Sequence, residues 1–156
     1  MDRLWAPWRI DYVTKKNKGN CIFCKAYRDN KDKDNLIFYR SKYCFALLNL
    51  FPYNNGHTMI VPNRHVGEPD KLRDEEFLDI IHTKIKVLSI LKKVLKPNGF
   101  NIGINIGKDA GAGIKNHLHI HIVPRWAGDT NFMPVIFNTK IISQSLEELY
   151  KKLITL

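Results

Sequence analysis

The stretch NHLHIHIVPRW, residues 116–126, sets His117, His119 and His121 at every second position, with Leu118, Ile120 and Ile122 alternating between them. A period of two is that of a β-strand, so the imidazoles share one face and the apolar side chains the other. Six histidines occur in the whole chain, and half of them fall within these five residues. Same-face neighbours on a strand stand about 7 Å apart. Protonated, three such imidazoles repel; neutral, they need hydrogen-bond partners. The array therefore suits an anion or a metal better than plain solvent. Three nitrogens from one flat strand converge poorly at the roughly 2.1 Å of a metal bond. Nucleotidyl or phosphoryl transfer fits better: a neutral imidazole attacks phosphorus, a backbone carbonyl holds its other nitrogen, and flanking imidazoles bind phosphate oxygens or protonate the leaving group. The middle residue, His119, is then the nucleophile.

Upstream, FNIGINIG (100–107) also alternates, with Phe100, Ile102, Ile104 and Ile106 opposite Asn101, Gly103, Asn105 and Gly107. If this strand pairs with the histidine strand, its nearly bare face lies beside the imidazoles and leaves room for a ligand, while its apolar face belongs to a core. LIFY (36–39), YCFALLN (43–49) and HTMIVP (57–62) read as three further strands, and YRDNKDKDN (27–35) as a loop. From Asp74 to Lys96, Phe77, Ile81, Ile85, Leu88, Leu91 and Leu95 recur at helical steps, and Pro97, Asn98 and Gly99 stop the helix. His82 falls off that stripe, on the surface, and Cys44 falls inside an apolar strand, in the core. Ser145 and Glu148 form a candidate capping box ahead of Leu146, Leu149, Tyr150, Leu153 and Ile154. Strands joined by short turns plus two helices predict an α+β domain on an antiparallel sheet of about five strands, with one long helix and a C-terminal helix.

The 156 residues fit one domain with a single sizeable core. Hydrophobic residues make up 44% and charged residues 26%, the balance of a soluble globular protein. No apolar run has the length of a membrane span, and the start MDRLWAPWRIDYV lacks the core of a signal peptide, which predicts a cytoplasmic protein. The net charge of +10 is scattered in pairs such as Lys15-Lys16 and Lys92-Lys93, and it favours polyanionic ligands. No stripe of basic and aromatic residues appears, which argues against a nucleic-acid partner. Three cysteines, an odd number, argue against a disulfide framework, yet Cys21 and Cys24 stand at the C-x2-C spacing of half a zinc site.

HLHIHIV matches, at every position, the H-φ-H-φ-H-φ-φ signature of the histidine triad (HIT) superfamily, where φ is hydrophobic. FALLNLFPYNNGHTMIVPNRH resembles the strand-loop-strand that precedes the helix in that family, and INIGKDAGAG its Asn-Gly stretch before the triad. The resemblance covers about residues 20–125, leaving 1–20 as an N-terminal extension and 126–156 as a tail with a helix, all within one HIT-like domain. It implies a covalent nucleotidyl-histidine intermediate on His119, with His121, His117 and His57 assisting. It further implies that Ile22 and Phe23 wall a base pocket, that Asn49 contacts a ribose and that Asn105 lies near the phosphates. Relatives carry Gln and then Ser or Thr before the triad, where this chain has Ala112, Gly113 and Ile114. Backbone N–H groups of Gly111 and Gly113 are the candidate replacement for that missing phosphate ligand.

LWAPWR and HIVPRWAGDTNFMPV resemble bacterial HIT proteins that cleave diadenosine tetraphosphate by hydrolysis or phosphorolysis, with Trp126 a candidate for stacking on a base or ribose, or alternatively a packing aromatic. Several HIT proteins complete a structural zinc site with the His of a P-x-x-H turn and the first His of the triad. The resemblance therefore implies zinc on Cys21, Cys24, His65 and His117. It also implies a homodimer in which two sheets join. Release of AMP from an amine or a nucleic-acid 5′ end is the alternative activity, and a non-catalytic nucleotide-binding module the alternative of another class.

Overall fold

A computed structural model describes residues 21–107, 109–137 and 139–155; the N-terminal extension 1–20, LWAPWR included, lies outside the described residues. Its five strands are β1 (Ile37–Arg40), β2 (Cys44–Leu48), β3 (Thr58–Pro62), β4 (Gly99–Ile104) and β5 (Ile120–Arg125). They form one antiparallel sheet in the order β1-β2-β3-β5-β4. The helices are α1 (Ile22–Asp29), α2 (Asp74–Leu95), the short α3 (Phe132–Phe137) and α4 (Leu146–Ile154). No helix among the described residues is long and apolar enough to cross a membrane.

Register explains how the sheet divides its two faces. Leu47, Met59, His121 and Gly103 stand in one row across β2, β3, β5 and β4, and Ala46, Ile60, Ile120 and Ile104 stand in the next. Successive rows point to opposite sides. On one side Cys44, Ala46, Leu48, Ile60 and Ile122 meet Ile80, Val87 and Leu91 of α2 and Leu149, Tyr150 and Leu153 of α4. Each fully buried aliphatic side chain there contributes about 1.5–3 kcal/mol. The tail helix thus belongs to the main core, and the Tyr150 hydroxyl donates to the Ile37 carbonyl at 3.1 Å. On the other side Phe45, Leu47, Met59 and Val61 meet Phe23 and Ala26 of α1.

Several expectations from the pattern need correction. The core stripe of α2 is Ile80, Thr83, Val87 and Leu91, whereas Phe77 and Ile85 are 55% and 60% exposed. Polar Thr83 enters the core because its hydroxyl takes a hydrogen bond from the Cys44 thiol at 3.2 Å. Glu76 is buried because Arg64 grips both its oxygens, at 2.8 and 2.6 Å. On the apolar face of β4 only Phe100 packs against the main core among the described residues; α2 crosses over β2 and β3, and Ile102 and Ile104 are 45% and 40% exposed. β4 ends at Ile104, short of Gly107, and β5 begins at Ile120, so His117 and His119 occupy the approach to the strand. CIFCKAYRD folds as α1, so that helix reaches into the expected 27–35 loop. His82 is exposed and Cys44 buried, as expected, and burial pushes the Cys44 thiol up to about 11. At α4 the Ser145 hydroxyl accepts from the Glu148 N–H at 3.2 Å, forming the N-cap read from the sequence.

Gly56 sits where both the backbone conformation and the space disfavour a side chain. Its φ is +75°, and a Cβ there would collide with Leu95 Cδ1 and stand 3.2 Å from Pro124 Cγ. Gly56→Ala should therefore cost about 1–3 kcal/mol in urea denaturation, with the m-value unchanged. A loss below about 0.5 kcal/mol would contradict this reading of the loop.

Candidate active site

His119 lies on the approach to β5 with its ring buried between Phe23 and His121, at centroid distances of 5.2 and 4.9 Å. Its Nδ1–H donates to the His117 backbone carbonyl at 2.9 Å. That bond selects the tautomer and leaves Nε2 with a free lone pair, the form a nucleophile needs.

His57 and His121 form a second, directional chain. The Tyr53 backbone N–H donates to His57 Nδ1 at 3.0 Å, and the Asn49 side-chain amide lies 3.3 Å from the same nitrogen. An accepting Nδ1 places the His57 proton on Nε2, which donates to His121 Nδ1 at 2.9 Å. The proton of His121 must then be on its own Nε2, which is buried without a hydrogen-bond partner among the described residues. A buried, unmatched N–H costs about 1–3 kcal/mol. Placed beside the His119 ring, it is a donor able to meet an anionic oxygen. Burial, reinforced by repulsion from the neighbouring imidazoles, pushes His57 down to about 3 and His121 to about 4. Both are neutral at pH 7, so the direction of the chain is maintained.

His117 works differently. Its Nε2–H donates to the Pro62 carbonyl at 2.8 Å, which frees Nδ1. That Nδ1 lies 3.1 Å from Cys21 Sγ and 3.5 Å from Cys24 Sγ, and His65 Nδ1 lies 3.3 Å from Cys24 Sγ. All four donor atoms fall within 4.8 Å of one another. Ligands bound tetrahedrally at about 2.3 Å through sulfur and about 2.0–2.1 Å through nitrogen have such mutual spacings. Cys21 caps α1 and Cys24 sits in its first turn, while His65 follows β3, so three separate segments meet here. Arg64, gripped by Glu76 and donating to the Lys71 carbonyl at 2.8 Å, fastens the turn that carries His65. Its neighbour Arg73 donates its backbone N–H to the same carboxylate at 2.9 Å, and Glu76 is held down at about 2, chiefly by Arg64.

The remaining sequence candidates fall in different places. Ile22 is 39% exposed on α1, whereas Phe23 is 1% exposed and acts as a spacer between the α1 core and the rings of His117 and His119. Asn49 receives the Phe51 N–H on its oxygen at 2.9 Å and turns its amide to His57. Asn105 and Gly111 are neighbours in the loop between β4 and β5, where a Cβ on Gly111 would stand 3.6 Å from Asn105 Nδ2. Gly111, with φ +90°, and Gly113 are exposed in that loop. Gly103, opposite His121, has nothing within 4 Å of where a Cβ would project, which preserves the open floor expected from the Asn/Gly face. Trp126 lies five residues beyond His121, roughly 16 Å along an extended strand. It lines a cleft with Asn54, Asn55 and Asp129.

Three contributors were not read from the sequence. Tyr53 stacks on His57 at a centroid distance of 4.5 Å. Asn54 donates to the Pro124 carbonyl at 3.0 Å and to Asp129 at 2.8 Å, tying the His57 loop to the end of β5. Arg125 holds that Asp129 carboxylate at 2.7 Å and keeps it ionised well below the usual range. The strand-loop-strand resemblance placed this segment in a loop, but nothing in the pattern showed that the Asn54 side chain reaches residues 124 and 129.

The HIT domain family model matches residues 30–128. An AP-4-A phosphorylase from Mycobacterium tuberculosis is 38% identical over 163 residues, covering 99% of this chain and 84% of its own. An asymmetrical bis(5'-nucleosyl)-tetraphosphatase from Schizosaccharomyces pombe is 34% identical over 102 residues, covering 65% of this chain and 56% of its own. Among solved structures, a HIT family protein from Bacillus anthracis has a TM-score of 0.64 at 29% identity, over 70% of this chain and 76% of that one. With the family match running through the sheet, the long helix and all the histidines, the chain belongs to the HIT family.

Proposed function

We propose that this chain is an enzyme that cleaves dinucleoside polyphosphates, diadenosine tetraphosphate foremost, through a nucleotidyl group carried on His119. The observation that carries this reading is the bond from His119 Nδ1–H to the His117 carbonyl, with the unpartnered Nε2–H of His121 beside it. His119 Nε2 attacks the α-phosphorus, a nitrogen–phosphorus bond forms, and the phosphorus–oxygen bond to the departing polyphosphate breaks. The His121 N–H stabilises charge on the phosphoryl oxygens or is passed to the leaving oxygen, with His57 behind it. Water then releases AMP, or inorganic phosphate releases ADP. Names of the relatives support both outcomes, a phosphorylase in one case and a tetraphosphatase in the other. Ile22, Asn105, Gly111 and Gly113 are the proposed surroundings of the nucleotide, in a single cytoplasmic domain.

Cys21, Cys24, His65 and His117 fit a zinc ion by donor type and spacing, and a bound zinc would cross-link α1 to the segments after β3 and before β5. His117 then serves catalysis through its carbonyl, with its ring committed to structure. We also propose a homodimer. β4 is an edge strand, and Ile102, Ile104, Phe77 and Ile81 line an open groove of about 350 Å³. Antiparallel pairing of β4 with its twin would join two sheets and cover that groove.

Incubated with diadenosine tetraphosphate with and without inorganic phosphate, the protein should yield AMP plus ATP or ADP plus ATP. His119→Ala should lower kcat/KM by about 10³-fold or more, and turnover near the wild-type rate would refute the mechanism. Metal analysis of protein purified without chelator should give one zinc per chain, lost in Cys24→Ser together with several degrees of Tm. Zinc well below one per chain would remove that assignment. Sedimentation should show a dimer that Ile102→Lys converts to a folded monomer; a wild-type monomer at micromolar concentration contradicts the pairing.

A further inference from the structure

Among the described residues, Tyr53 presses its ring on both members of the His57–His121 pair, and nothing in the HIT signature calls for it. Its ring stacks on His57 at 4.5 Å with planes 29° apart, and reaches His121 at 5.8 Å. The ring is 56% exposed, whereas His57 beneath it is 0% exposed, so Tyr53 is the cover between that imidazole and water. The same residue also donates its backbone N–H to His57 Nδ1. Two independent contacts from one residue therefore act on one imidazole.

We infer that Tyr53 is a positioning residue that sets the direction of the His57–His121 hydrogen-bond chain with its backbone N–H and shields the chain from water with its ring. The Asn49 amide, 3.3 Å from Nδ1, supports the same direction at longer range; without these two donors, either His57 nitrogen could carry the proton. If Nδ1 carried it, Nε2 would accept from His121, and His121 would turn a lone pair toward the site in place of a donor. That would repel a phosphate oxygen where the present arrangement binds one. The ring acts on the other variable, solvation. The titratable groups facing His57 are the Tyr53 phenol on its own loop and His119 and His121 from the β5 segment; those facing His121 are His57, His119 and Tyr53, while Met59 and Gly103 beside it carry no charge. No carboxylate stands among them to favour protonation. Desolvation therefore dominates, and admitting water should raise both imidazoles toward the ordinary value near 6.5.

Histidine ring NMR on the folded protein tests this directly. At neutral pH, His57 and His121 should both carry their proton on Nε2 and titrate only well below pH 6. Tyr53→Phe should leave both titrations in place. Tyr53→Ala should move at least one of them up by roughly 1 pH unit or more, and the acid limb of kcat/KM should move with it while Tyr53→Phe restores the original limb. If the Ala protein fails to fold, Tyr53→Gln, which keeps bulk but lays an amide over His57, carries the same expectation. A proton on His57 Nδ1, or titrations unmoved in the Ala or Gln protein, overturns the inference. The kinetic arm rests on the proposed reaction, but the ring titrations do not: a protein that turns over no dinucleotide, yet shows the shift, refutes the reaction and upholds the role of Tyr53.

Discussion

Antiparallel pairing of β5 with β3 on one side and β4 on the other is the constraint from which the site follows. It sets His121 in a row with Met59 and Gly103, so the imidazole stands between a large apolar neighbour and a residue with no side chain. It also carries Ile120 and Ile122 to the opposite side, with Ile122 fully buried against α2. Slipping β5 by one residue would put imidazoles into the main core and isoleucines into the cleft. The register is therefore maintained by the whole apolar core, and the histidines inherit its rigidity.

Within that frame the four imidazoles are chemically unequal, and their backbone neighbours make them so. His117 gives its Nε2–H to Pro62, His119 gives its Nδ1–H to His117, and His57 receives the Tyr53 N–H on Nδ1. Each bond removes one of two tautomers. The results differ: a Nδ1 facing two thiols, a Nε2 left with its lone pair, and a Nε2–H on His121 with no partner among the described residues. Four rings of identical composition are thus set up for different work under the proposed function: a metal ligand, a nucleophile, a donor and a support.

What could be read in the sequence tracks period and proximity. Strict alternation placed His117, His119 and His121 on one face, and it placed the bare face of β4 beside them, because a two-residue period needs no knowledge of the partner strand. The limits of α2 were legible from its stop residues, but its phase was not. Phe77 and Ile85 look like core and are exposed, while Glu76 and Thr83 look like surface and are buried. That helix has two apolar directions, one over its own sheet and one toward the edge groove, and a stripe averaged over both points between them. Residues 57 and 121 meet across 64 positions, and nothing local encodes their bond or the stacking of Tyr53 on it. The family resemblance assigned His57 to the site; only the fold shows that its partner is another imidazole.

Phe23 joins the two halves of this arrangement. It occupies the turn between Cys21 and Cys24, is 1% exposed, and lies 5.5 Å from the ring of His117 and 5.2 Å from that of His119. Its other neighbours, among them Phe45 and Val61, are the buried residues of β2 and β3. With the proposed zinc in place, Cys21 and Cys24 would hold the turn whose side chain backs His119. Tight interiors transmit small displacements because few voids absorb them. Loosening the Cys21–Cys24 turn would free Phe23, and His119 would lose the wall opposite His121 while keeping its bond to the His117 carbonyl. Tautomer and orientation thus have separate supports: the backbone leading into β5 sets the first, and the α1 turn backs the second.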